Sequence, residues 1–209
     1  MERLSTSMGT KEQKPNIDLA IKLATTKDKK TIGEIAQNLH NNDKLIASDC
    51  VKVMYEIGSI EPELIAGYGD EFLELISSNN NRMVWGAMYA LAQIAPIRTQ
   101  FIDENFEKIE EAYKEGSVIT IDSCIVIFAH IAKADADNSQ KAFDLIINHL
   151  KSCRAKDIPQ HSEKAFVCIN GSNYTEFENI LKDRFDEMST SQQRRVARVL
   201  QKIEKREFE

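Results

Sequence analysis

Five isoleucines, Ile57, Ile94, Ile131, Ile169 and Ile203, carry the same surroundings along this chain. At offsets −3, −4, −7 and −11 from Ile94 stand Leu91, Ala90, Ala87 and Met83. Ile57 has Met54, Val53, Cys50 and Ile46, and Ile131 has Phe128, Ile127, Cys124 and Thr120. Ile169 has Phe166, Ala165, Ser162 and Ile158, and Ile203 has Leu200, Val199, Val196 and Gln192. Those offsets fall on one face of an α-helix and cannot line one face of a strand. The anchors are 37, 37, 38 and 34 residues apart. A fixed period of this size is the mark of a stacked-repeat architecture.

A second pattern runs between the anchors. Phe72, Phe106, Phe143 and Phe177 are each followed three residues later by Leu75, Ile109, Ile146 and Ile180. Each unit therefore has a first helix with the isoleucine anchor and a second helix with the phenylalanine. Turn signals separate them: Gly58 with Pro62, "SSNNN" at 77–81, Pro96, Gly116 and "NGSN" at 170–173. The pattern predicts helices over 16–26, 29–41, 43–58, 62–77, 81–95, 99–115, 117–134, 138–153, 158–169, 173–187 and 190–206.

Composition agrees. Of 209 residues, 42% are hydrophobic, while only 8 are Gly and 4 Pro, too few for a turn-rich β protein. The formal charge of −6 disfavours a general polyanion binder and leaves room for a local basic patch. Cys50, Cys124, Cys153 and Cys168 form no CxxC pair and lie inside apolar helical patterns, as reduced core thiols of a cytoplasmic protein would. No apolar run approaches the roughly 18 residues of a membrane span, so no membrane association is expected. The opening "MERLSTSMGTKEQKP" has no hydrophobic segment of the signal-peptide kind. It is expected to be a disordered polar tail over 1–15, followed by a single repeat domain over 16–209.

Paired helices with a period near 37 resemble HEAT-like, armadillo-type repeats. "RMVWGAMYALAQIA", "LIASDCVKVMYEIG" and "ITIDSCIVIFAHIA" look like first helices; "FLELI", "FEKIEEAY", "FDLIINHL" and "FENILKDRF" look like second helices. The resemblance covers roughly residues 43–188. It implies an all-α fold: a right-handed α-α superhelix, or solenoid, of about five helical pairs with a C-terminal capping helix. In such a stack an internal first helix meets neighbours on several sides. Gly86, Ala87, Ala90, Ala92 and Ala95 would let axes approach, and Trp85 is expected to be a wedge between repeats rather than a ligand reader.

The resemblance also implies that second helices line the inner surface. Two of them are acidic. Glu71 and Glu74 lie on one, and Asp103, Glu104, Glu107, Glu110 and Glu111 on the next, which together would make an acidic groove for a basic segment of a partner protein. The alternative is a solvated face that only keeps the chain soluble. The last helix is the reverse, with Arg194, Arg195, Arg198 and Lys202 as a candidate basic patch. It would contact nucleic acid, or serve as a cap with a charged outer face.

Catalytic readings fare worse. DNA glycosylases that remove alkylated bases are built from HEAT-like repeats, but they need a basic channel, and an acidic groove would repel phosphates. No GxSxG, HExxH or Walker sequence is present. His149 and Cys153 share a helix face, with His161 and Cys168 in the following helix, but the spacing matches no structural zinc signature, so no metal and no cofactor are expected. His130, next to an anchor, is expected at the surface. The expectation is a non-enzymatic scaffold or adaptor that binds another protein; the alternative is a nucleic-acid-binding or DNA-alkylation-repair-like HEAT protein.

Overall fold

A computed structural model describes residues 2–134 and 136–208. Twelve α-helices and no strand occur among the described residues. They are α1 (Lys14–Thr26), α2 (Lys29–Gln37), α3 (Lys44–Ile60), α4 (Gly69–Leu75), α5 (Asn81–Ile94), α6 (Thr99–Glu104), α7 (Phe106–Glu115), α8 (Val118–Lys133), α9 (Ser139–Ser152), α10 (Ile158–Ala165), α11 (Tyr174–Asp183) and α12 (Thr190–Glu204). No helix is long and apolar enough to cross a membrane.

The starts carry their own chemistry. The carboxylate of Asp43 accepts from the Leu45 N–H at 2.8 Å, and Asn80 does the same for Arg82 at 3.0 Å. Ser189 and Gln192 close a capping box at the head of α12. Pro15, Pro62 and Pro159 sit in first turns, where a missing N–H costs nothing.

Five expected helices are shorter or broken; those over 29–41 and 173–187 end in 3-10 turns at Asn38–His40 and Phe185–Glu187. Residues 62–68 form two 3-10 turns before α4 begins, because Gly67 and Gly69 weaken a continuous helix there. The expected 99–115 helix divides at Asn105 (φ −111°, ψ 19°) into α6 and α7. Asn is a residue whose side chain competes with helical backbone bonding. The 158–169 helix tightens to a 3-10 turn at Phe166–Cys168, so the Ile169 anchor is extended chain.

Both periodic patterns are buried regardless. The five anchor isoleucines are at most 1% exposed, and Phe72, Phe106, Phe143 and Phe177 at most 6%. Phe-x-x-aliphatic partners Leu75, Ile109, Ile146 and Ile180 are buried with them.

The span 16–209, expected as one domain, divides into two compact units: Met1–Arg98 with Asn105–Cys124, and Thr99–Glu104 with Ile125–Glu209. In the first unit α3 packs between α1 and α5, α2 packs on α3, and α4 packs on α5. In the second, α10 packs on α12, and α9 and α11 pack on each other and on those two helices respectively. First helices thus stack on first helices within each unit. Gly86 shows why small residues are needed: a Cβ there would stand 3.0 Å from Cγ2 of Val51.

The segment expected to be a frayed tail is folded onto the first unit. Leu4 is fully buried, the Ser5 N–H donates to Asn16 Oδ1 at 2.9 Å, and the Thr6 N–H donates to Asp49 Oδ2 at 2.7 Å. One apolar residue and two buried side-chain acceptors suffice to hold an otherwise polar segment in place.

Candidate functional site

The acidic residues are divided between the two units. Glu71 and Glu74 of α4 and Glu107, Glu110 and Glu111 of α7 belong to the first unit, whereas Asp103 and Glu104 of α6 belong to the second. Asp103 is used structurally. Its carboxylate accepts the Asn138 N–H at 3.2 Å, and its carbonyl accepts the Asn138 side-chain amide at 3.3 Å, so the end of α6 holds the start of α9. Glu110 pairs with Lys114 at 2.7 Å, Glu104 accepts from Gln100, and Glu74 lies 3.5 Å from His40. Glu107 and Glu111 remain exposed with no cationic partner among the described residues.

The basic helix α12 is largely committed to the fold. Arg195 grips Glu163 of α10 with two bonds, one of them 2.9 Å from Nε. This guanidinium holds the Glu163 carboxyl below the usual carboxylate range. Lys202 lies 5.0 Å from the centre of the Phe166 ring, and Arg206 lies 4.0 Å from that of Tyr174. Arg194, Arg198 and Lys202 are exposed, and none of the three forms an ion pair among the described residues.

Trp85 packs against Tyr55 of the preceding first helix, with ring centres 5.8 Å apart, and Tyr89 meets the same tyrosine at 5.1 Å. Trp85 is half-buried where α5 meets α3. His130 is half-buried, and desolvation lowers its pKa.

Two features escape sequence inspection. The first is an open cleft of about 820 Å³ in the second unit, between α9 and α11. Gln140, Asn173 and Asn179 line it with Lys151, Glu176 and Asp183. Asn173 is spent on its own turn, accepting the Asn170 N–H and donating to the Cys168 carbonyl, and Gln140 donates to Asp144. The Asn179 amide offers donor and acceptor together, which suits the main chain of an extended peptide. The second is a buried polar network around Asp49, whose Oδ1 accepts from Asn16 Nδ2 at 2.7 Å. Ser5 Oγ lies beside it, buried and without a hydrogen-bond partner. A signal for the network exists: eight residues before each anchor stand Asp49, Gly86, Ser123, His161 and Arg195, mostly polar positions inside an apolar face.

The doubted ligand set is partly assembled. His149, on α9, and His161, on α10, are 8% and 1% exposed. His149 Nε2 and His161 Nδ1 are 2.8 Å apart, with one proton shared between them. Cys153, at the end of α9, completes a group whose ligating atoms all lie within 4.8 Å of one another. Cys168 is not part of it; its thiol donates to the Ala165 carbonyl. Burial raises the Cys153 thiol pKa, and the Arg184 guanidinium, 3.8 Å from the sulfur, opposes that.

No family model matches the chain, and no curated protein matches it. Its fold is similar to that of a crystal structure described as an engineered protein from the Northeast Structural Genomics Consortium. That likeness has a TM-score of 0.56 at 18% identity and covers 97% of this chain and 94% of the other.

Proposed function

We propose that this chain is a HEAT-like solenoid that works as a cytoplasmic, non-enzymatic scaffold and holds an extended segment of another protein on its second helices. The observation that carries this reading is the cleft between α9 and α11, which is large, open and lined with amide side chains. Its floor comes from two neighbouring second helices, the elements expected to present a binding surface in a stack of this kind. The free carboxylates Glu107 and Glu111 of α7 support a second contact with basic residues of the partner.

A nucleic-acid role loses support, because Glu163 neutralises Arg195 of α12 and Arg206, just beyond that helix, lies against Tyr174. Arg194, Arg198 and Lys202 would be left for phosphates, few for binding at moderate salt.

The test uses the full chain as bait in three forms: native, Gln140→Ala with Asn179→Ala, and Glu107→Lys with Glu110→Lys and Glu111→Lys. Loss of a captured protein by the amide variant supports the cleft. Loss by the charge-reversed variant moves the contact to α7. A partner held equally by all three removes this reading.

A further inference from the structure

We propose that His149, Cys153 and His161 bind one divalent ion of the zinc class. The argument starts from convergence. Nε2 of His149 and Nδ1 of His161 face each other at 2.8 Å, and Sγ of Cys153 is within 4.8 Å of both. No other group of three such ligands occurs among the described residues. Two imidazole nitrogens that meet across one proton, with a sulfur near both, become the donor set that borderline-soft ions select once that proton is displaced.

The distances suit it. Tetrahedral zinc, with Zn–N of about 2.0–2.1 Å and Zn–S of about 2.3 Å, sets N···N near about 3.3 Å and N···S near about 3.5 Å. The histidines need to part by about half an ångström, and the sulfur to approach by at most about 1.3 Å, within reach of the Cys153 side-chain torsion. On binding, the proton now shared by the two rings moves to the far nitrogen of its own ring. Cys153 releases its thiol proton to solvent, and two neutral nitrogens and one thiolate form three bonds to the ion. A fourth position stays open to water.

The surroundings fit a deep site with one entrance. Both histidines are buried, while Cys153 is half-buried and marks the way in. Arg184, beside the sulfur, would oppose a cation if it stood alone, but Glu187 binds its guanidinium through both carboxylate oxygens. Its Nη1 is directed to the Leu150 carbonyl at 2.7 Å. The pair brings almost no net charge to the site and holds the end of α9, which carries Cys153.

The experiment is titration of the reduced, metal-free chain with Co²⁺, followed by displacement with Zn²⁺. One equivalent should give intense tetrahedral d–d bands and a thiolate-to-cobalt charge-transfer band, both abolished by zinc. Removal of an outer-shell partner weakens metal sites by about 10–100-fold, so Cys153→Ser, which removes a ligand, should lose more than that and the charge-transfer band with it. Cys168→Ser should behave as the native chain. His149→Gln should lose the tetrahedral spectrum, with circular dichroism showing that its helices persist. Should either ligand variant unfold, zinc protection of Cys153 against alkylation in the native chain decides the matter. No charge-transfer band at saturating cobalt, or equal zinc affinity in Cys153→Ser, or no protection, overturns the proposal.

Discussion

The Asn16 side-chain amide donates to Asp49 Oδ1 at 2.7 Å, joining α1 to α3 at a point where both residues are at most 5% exposed. The second oxygen of the same carboxylate takes the Thr6 N–H, so one buried acid organises a helix pair and the N-terminal segment. Asp49→Ala strands two donors, the buried Asn16 amide and the half-buried Thr6 N–H. Hydrogen bonds to charged groups contribute about 1.5–3 kcal/mol each, and the expected loss is about 3 kcal/mol in urea denaturation. Limited proteolysis should then cut within residues 2–12 of the variant while sparing the native chain. Equal resistance in both would show that the segment is held some other way.

Gly86→Ala tests the close approach of α3 and α5. The added methyl meets Val51 Cγ2 at 3.0 Å and Cγ1 at 3.1 Å, and a β-branched side chain in a helix has no alternative rotamer to retreat into. Overpacking costs about 1–3 kcal/mol, while leaving glycine gains about 1 kcal/mol of helix propensity. A net loss of about 1 kcal/mol is expected, read as a lowered Tm. A stabilised variant would mean that the helices separate freely.

Thiol chemistry should single out one cysteine. Burial pushes the Cys50 and Cys168 thiols up to about 12 and raises Cys124 as well. Cys153 is half-buried and has the Arg184 guanidinium beside it. Brief treatment of the native chain with a maleimide at mildly alkaline pH should give one adduct, at Cys153, and denaturation should expose all four. Mass spectrometry of tryptic peptides reads the site. An adduct at Cys50, Cys124 or Cys168 in the native chain would contradict the packing described.

Glu163 and Arg195 supply a pH dependence of known sign. Arg195 lowers the Glu163 pKa from 4.5, so the pair's stabilisation is complete above that value and is lost as pH falls through the depressed one. The side chains are 43% and 41% exposed, which limits the pair to about 1 kcal/mol at most. The stability difference between the native chain and Glu163→Gln should therefore shrink toward zero on acidification below about pH 4.5 and fade in high salt. A difference that grows on acidification would reverse the assignment.

How far the chain could be read in advance depends on whether a contact repeats. The anchor and phenylalanine faces recur five and four times, and every anchor isoleucine and every one of those phenylalanines is buried. What did not recur was hidden. The break at Asn105 and the 3-10 turns before α4 depend on single residues whose local preferences overrode an unbroken apolar stripe. Leu4 is one apolar residue in a polar segment, and nothing in its neighbourhood announces that Asn16 and Asp49 receive the backbone beside it. The cleft arises where α9 and α11 meet, and its amides have no signature in one dimension. The charged faces had a signature that was easy to overvalue: Asp103 and Arg195 proved to be fastenings of the fold, while Glu107 and Glu111 stayed open to solvent. His149 and His161 were correctly placed on adjacent helices, but their meeting at 2.8 Å required the turn at 153–157 to bring those helices together.

Trp85 has one consequence that concerns observation rather than binding. It is the only indole in the chain, and its immediate neighbour is the Tyr55 ring across the α3–α5 contact. Its fluorescence therefore reports on the first unit alone, whereas far-ultraviolet circular dichroism averages over every helix. Melting curves recorded both ways on the same sample will coincide if the two units come apart together. If they do not, the interval between them measures how independently each unit unfolds, with no label added to the chain.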